Sequence, residues 1–208
     1  MDADVSVREA YGSRAAEYAA ALGSVDQLHA DDRDRIGTWG RRLEGPVLDV
    51  GCGPGQWTDY LHHQGVDIRG IDPVRGFIAH ARKQFPDVRY RTASLRTTDV
   101  ETASLAGMLC WYSLIHIPPE DMARSLVHIH RLLRPGGEVL VGFFRSPRTE
   151  VFPHAVAPAY RWSVDHFARE LHGAGFNVCD IHRRTDPGVR PHASVRAAKP
   201  RLGRRVPR

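Results

Sequence analysis

Val47-Leu48-Asp49-Val50-Gly51-Cys52-Gly53-Pro54-Gly55, followed by Gly70-Ile71-Asp72-Pro73, decides the fold of this chain. The order is an apolar strand with an acid near its end, a glycine turn, a helical stretch and a second acid-tipped strand. It describes a nucleoside-binding crevice. Three glycines in five residues let the backbone turn tightly and approach a ligand with no Cβ atoms in the way. Asp72 lies 23 residues after Asp49, where a carboxylate can grip both ribose hydroxyls. The dinucleotide fingerprint is G-x-G-x-x-G, whereas this chain reads D-x-G-x-G-x-G. That spacing disfavours a nicotinamide dehydrogenase.

Outward from this stretch, apolar runs alternate with segments of helical period. Strands are expected at 46–50, 67–71, 87–91, 106–111, 137–144 and 176–183. Helices are expected at 55–64, 74–84, 119–133 and 163–174. Strands separated by helices imply a parallel sheet covered on both faces, a three-layer α/β/α domain. Before it, Val7, Ala10, Tyr11, Ala15, Tyr18 and Ala19 repeat at helical spacing, and Ile36, Trp39 and Leu43 mark a helix over 29–43. Residues 1–45 are therefore read as an N-terminal helical cap, broken at Gly12-Ser13. The segment 145–162 holds three prolines and no clean period, which predicts a long loop over the substrate. A last strand is expected at 191–198, after the turn residues Asp186-Pro187-Gly188.

These residues resemble the class I S-adenosylmethionine-dependent methyltransferases, small UbiE or methyltransferase-11-like members, whose first motif is an acidic strand end running into G-x-G-x-G. "LRPGGEVLVGFF" at 133–144 is similar to the family's late turn and fifth strand, and "GMLCWYSLIHIPPEDM" at 107–122 to its fourth strand and loop. The resemblance implies one Rossmann-like domain over 1–199, a mostly parallel sheet with its last strand antiparallel, and S-adenosylmethionine as cofactor, leaving as S-adenosylhomocysteine. Gly51, Cys52, Gly53, Gly55 and Trp57 would meet the methionine end, whose carboxylate the start of a helix favours. Asp49 would hold the ammonium or order the loop. Asp72 and Pro73 would take the ribose, and Trp111, Tyr112 and Ser113 would run along the methionine portion. Ala93, Ser94 and Leu95 stand where the family has a Gly-Asp pair at the adenine, a departure that leaves the amine edge to Ser94 or a carbonyl. Tyr11 and Tyr18 resemble an N-terminal tyrosine pair that closes over the cofactor.

Methyl transfer needs alignment and, for hydroxyl or amine acceptors, a base. His116 follows the fourth strand and titrates near neutrality, so it is the candidate base and also an acceptor contact. His154, Tyr160, Arg161 and Trp162, in the long loop, are the other candidate acceptor contacts. Plainer roles stay open beside these: Asp72 as a helix cap, His116 as an orienter of the next helix, Arg161 and Trp162 as a stacked structural pair.

The chain has 208 residues, 42% hydrophobic and 25% charged, enough for one domain with a sizeable core. No run approaches the roughly 20 apolar residues that cross a bilayer, and the first residues lack a secretory pattern, so a cytoplasmic protein is expected. Cys52, Cys110 and Cys179 are odd in number and far apart, which suggests buried reduced thiols. No Cys/His set has zinc spacing, so no metal is expected. The net charge of +5 comes from the end: residues 183–208 hold nine Lys/Arg and one Asp, leaving 20 basic and 23 acidic residues before them. Residues 200–208 are read as a basic flexible tail. The favoured function is methylation of an O, N, S or C atom of a small molecule by a monomer or homodimer, with nucleic acid disfavoured as a partner. The alternatives are an RNA or protein methyltransferase docking through the tail, and a non-catalytic cofactor-binding protein.

Overall fold

The structure is a computed structural model, described here for residues 8–12, 14 and 29–201. After a helical stretch at 8–12, its elements run α1 (Ala30–Gly40), β1 (Val47–Val50), α2 (Gln56–His63), β2 (Ile68–Asp72), α3 (Arg75–Gln84), β3 (Arg89–Thr92) and β4 (Leu105–Trp111). Then come α4 (Pro119–Leu132), β5 (Leu133–Phe144), β6 (Glu150–Phe152), β7 (Ala159–Arg161), α5 (Val164–Gly173), β8 (Asn177–Arg184) and β9 (His192–Ala198). The seven-stranded sheet has the order β3-β2-β1-β4-β5-β9-β8. β1 to β5 pair in parallel, while β9 runs antiparallel to both β5 and β8. The expected α/β/α fold with an inverted last strand is the one observed.

The inner strands β1, β2, β4 and β5 send apolar residues to both faces, the pattern of a sheet buried on two sides. Along β4, Met108 and Cys110 join Val139 and Val141 of β5 against Met122, Leu126 and Ile129 of α4 and Phe167 of α5. Leu109 and Leu140 point the other way, onto Ile36 and Trp39 of α1 and Trp57 and Leu61 of α2. The alternation fixes the register, since a slip of one residue would exchange the faces.

Three expectations are corrected. The 145–162 segment is no plain loop: β6 and β7 form an antiparallel hairpin, with Val151 opposite Tyr160. Its strands are three residues long, too short to show a period, and Phe152 and Ala159 are buried on its inner side. β5 begins at Leu133, earlier than expected, with a register shift between Leu105 and Gly107 beside the Pro-Gly-Gly turn. Cys179 is exposed, whereas Cys52 and Cys110 are buried; all three are free. No helix among the described residues is long and apolar enough to cross a membrane, and no His/Cys/Asp/Glu group among them could hold a metal. Tyr18 and 202–208, most of the expected tail, lie outside the described residues.

Candidate functional site

Parallel strands deliver their following loops to one edge of the sheet. At that edge lies a cavity of about 900 Å³. A second, of about 610 Å³, adjoins it and shares Arg8, Pro73 and Val74.

The first end of the large cavity is built from the β1 and β2 turns. Gly51 and Cys52 donate their amides to the Ile71 carbonyl (2.8 and 3.0 Å), which ties the turn to β2. Gly53 follows in the left-handed region (φ 55°), and a Cβ there would meet nothing within 4 Å, so this backbone faces open space. Its amide donates to Asp72 Oδ2 at 3.0 Å, while the Val74 amide donates to Oδ1 at 2.8 Å. Both carboxylate oxygens are thus fixed, in a residue 6% exposed. Burial pushes Asp72 up to about 6, against the pull of its two amides. Asp49, 2% exposed, accepts from Thr58 Oγ1 at 2.7 Å and is pushed up to about 7, first by burial and also by Asp72. Asp49 therefore orders the start of α2. That helix has no side-chain cap, leaving first-turn amides to face an anion. Gln56 Oε1 and Ser113 Oγ are buried with no partner among the described residues, and both residues line the cavity.

The other end is assembled from distant parts of the chain. His116 Nδ1 lies 2.8 Å from the Pro158 carbonyl. A carbonyl only accepts, so Nδ1 carries the proton and Nε2 accepts from Tyr11 Oη at 2.9 Å. Arg14 donates to the Ala155 carbonyl at 2.6 Å, so the N-terminal segment straps across to the loop between β6 and β7. Tyr11 also packs on Phe77 of α3, with ring centroids 6.0 Å apart, and so touches both ends of the cavity. Tyr112, the residue after β4, lies in the left-handed region (φ 56°), a conformation that costs a side-chain-bearing residue about 1–3 kcal/mol. Its hydroxyl hydrogen-bonds His192 Nδ1. Arg184 donates to Asp32 (2.7 and 3.3 Å) and pairs with Asp186 at 2.7 Å. Burial lowers the pKa of His116 and His192, and lowers that of His154 to about 4, where His116 and Arg190 add to it.

Of the residues singled out in the sequence, Tyr11, Asp49, Gly51, Cys52, Gly53, Trp57, Asp72, Pro73, Trp111, Tyr112, Ser113, His116 and His154 line the large cavity. Ala93 and Ser94 line the smaller one, where the Ser94 amide donates to Thr97 Oγ1 at 2.9 Å. Five lie elsewhere. Gly55 is left-handed (φ 96°), but its Cβ position is filled by Tyr90 and Ala81 at 2.8 and 2.9 Å, so it serves packing beneath α2. Leu95 sits in the core at 8% exposure. Tyr160 is held by its amide on the Ile115 carbonyl (2.7 Å), and Arg161 pairs with Glu150 across the hairpin at 3.2 Å, over the Phe152 ring. Trp162 is 1% exposed and packs on Phe167, because the residue after β7 turns into the core.

Asp32, Arg184, Asp186 and Phe144 line the cavity without having been singled out. A topological signal could have found two of them. β8 runs with β1 to β5 and β9 against them, so the end of β8 and the start of β9 reach the same edge as Phe144. The register confirms it: Phe144 faces His192, which faces Arg184.

Residues 47–137 match a protein family described as a methyltransferase domain. The chain is 31% identical over 132 residues to malonyl-[acyl-carrier protein] O-methyltransferase of Pseudescherichia vulneris, covering 60% of this chain and 51% of that one. It is 30% identical over 122 residues to a ubiquinone biosynthesis O-methyltransferase of Alkalilimnicola ehrlichii, covering 56% and 47%. The chain thus spans about half the length of these curated relatives. Among solved structures, 1,6-didemethyltoxoflavin-N1-methyltransferase of Burkholderia thailandensis, with 1,6-didemethyltoxoflavin and S-adenosylhomocysteine bound, superposes with a TM-score of 0.74. At 23% identity, over 92% of this chain and 88% of that one, it establishes a shared fold.

Proposed function

From a chain that carries a class I, Rossmann-like methyltransferase domain, we propose an S-adenosylmethionine-dependent methyltransferase that methylates a small-molecule acceptor. The observation that carries this is the fixed Asp72 carboxylate beside the open side of Gly53, at one end of a cavity whose other end holds His116. Bound S-adenosylmethionine supplies a methyl carbon already activated by its positive sulfur. The residues present fit that group. Asp72 accepts from the two ribose hydroxyls with its remaining lone pairs, and the uncapped amides of α2 receive the carboxylate. The buried oxygens of Gln56 and Ser113 are acceptors in want of a donor, which an ammonium provides.

On the acceptor side, His116 is held with Nε2 as its free-lone-pair nitrogen by the Pro158 carbonyl. That nitrogen takes the proton of a hydroxyl acceptor, in the place where the Tyr11 hydroxyl now donates. The cavity running on to His116 supports an enzyme over a mere binder, whose acceptor space would be filled. The O-methyltransferase relatives support oxygen as the methylated atom. A cytoplasmic location is part of the proposal, supported by three free cysteines. The test is calorimetric titration with S-adenosylmethionine and S-adenosylhomocysteine, followed by an acceptor screen that detects S-adenosylhomocysteine. Folded protein that binds neither compound would end the proposal.

A further inference from the structure

The acceptor end of the cavity is a wall of rings. Phe144 is its hub: Tyr112 lies 4.8 Å away between centroids, His192 5.8 Å and His154 6.1 Å. His116 continues the wall, 5.5 Å from His154. All five line the same cavity. Beside this wall the exposed Arg190 guanidinium stands 5.9 Å from the Phe144 ring centre and 5.4 Å from that of Phe152. The ring wall is costly in backbone terms, since Tyr112 reaches it only through its left-handed conformation.

The charges narrow the choice of guest. The two acids lining this end, Asp32 and Asp186, both engage Arg184. Both carboxylates are thus already engaged by one guanidinium, with which an ammonium would have to compete. The three imidazoles have pKa values lowered by burial and stand neutral at pH 7. What remains is an apolar wall of mutually tilted rings, neutral nitrogen atoms and the Arg190 guanidinium stacked beside it. Ring faces at these tilts favour a planar π-system over an aliphatic one of equal size, through offset and edge contacts.

We infer that the acceptor is a planar aromatic compound carrying a hydroxyl, neutral or anionic, which lies against Phe144 and Tyr112 with its negative end toward Arg190. This deepens the functional reading above and rests on it for the role of the cavity's other end. The inference concerns recognition alone.

The test uses three probes of similar size that differ in one property: 4-hydroxybenzoate, its saturated counterpart trans-4-hydroxycyclohexanecarboxylate, and the cationic tyramine. Each is titrated calorimetrically into the full chain, with and without saturating S-adenosylhomocysteine. The expected order is 4-hydroxybenzoate tightest, by about two- to tenfold over the saturated acid, and tyramine weakest. Phe144→Leu, which keeps apolar volume but removes the ring, should erase the preference for the aromatic acid. Arg190→Gln should narrow the gap between 4-hydroxybenzoate and tyramine. Equal binding of the saturated acid, tightest binding of tyramine, or no probe binding while S-adenosylhomocysteine binds would each overturn the inference. Failure of S-adenosylhomocysteine itself to bind would fall on the donor reading, and the probe order measured without it would still decide the matter of the rings.

Discussion

The two ends of the cavity are built in opposite ways. The end near Gly53 is local: apart from Ser113 its groups fall between Asp49 and Val74, and its bonds are backbone amides on a carbonyl and on a carboxylate, with one hydroxyl on Asp49. The end near His116 is drawn from Tyr11, Asp32, Tyr112, Phe144, His154, Arg184 and His192, joined by side chains far apart in sequence. Their titrations oppose each other too. Burial raises Asp49 to about 7 and Asp72 to about 6 from 3.8, so their contribution to stability is full below 3.8 and is lost as pH rises through 6 to 7. His116, His154 and His192 are lowered from 6.5, so their contribution is full above 6.5 and is lost as pH falls, down to about 4 for His154. At neutral pH the acceptor end rests in its preferred state. The other end holds a buried Asp72 that is mostly ionised beside an Asp49 poised between its two forms, a charge that a ligand's donors would relieve.

The largest test of this contrast is Asp72→Ala. Two charge-assisted hydrogen bonds to the ribose, each worth about 1.5–3 kcal/mol, set the expected loss in S-adenosylhomocysteine affinity on the order of 10² to 10⁴-fold by calorimetry. A loss below tenfold would remove Asp72 from the site. Next comes His116→Ala, which should lower turnover by about 10²-fold or more and leave S-adenosylhomocysteine affinity unchanged. A fall in thermal stability with turnover preserved would instead make His116 a tie between the Pro158 carbonyl and Tyr11.

The same contrast governs what could be read from the chain. The glycine turn, Asp72 and the alternation of strands and helices were legible because their spacing is local and their physics is backbone conformation and burial. Trp162 was misplaced as an acceptor contact because a large aromatic in a proline-rich segment looks alike whether it faces a ligand or the core; only the pairing of β6 with β7 turns it inward. Arg184 and Asp32 lie 152 residues apart, and each alone resembles an ordinary charge, one at a strand end and one in a helix's first turn. Nothing short of the sheet topology brings them together.

A smaller effect sharpens the contrast from the acceptor side. Arg184 joins α1 to the end of β8 through Asp32 and to the following turn through Asp186, with its side chain 10% exposed. Arg184→Gln should cost about 2 kcal/mol of stability in denaturant unfolding, since charged hydrogen bonds are lost and two acids are left facing each other. S-adenosylhomocysteine affinity should not change, because no contact of Arg184 reaches the Gly53 end. A parallel loss of affinity would mean that the two ends are one cooperative structure.

The smallest effect is a pH limb, and its slope separates the two buried carboxylates. Hydroxyl donors need Asp72 ionised, so affinity for S-adenosylhomocysteine should be flat above about pH 6 and fall tenfold per unit below it. The limb should persist in His116→Ala, which excludes an imidazole as its source. If Asp49 also faced the ligand's ammonium, the fall would begin near 7 and steepen below 6 to a hundredfold per unit. Its bond to Thr58 argues for the single limb, because a carboxylate already spent on ordering α2 has less to gain from the ligand. Asn in place of Asp49 keeps an acceptor for Thr58 and should leave the limb where it is; a limb that moved in Asp49→Asn would transfer the ammonium contact to this residue.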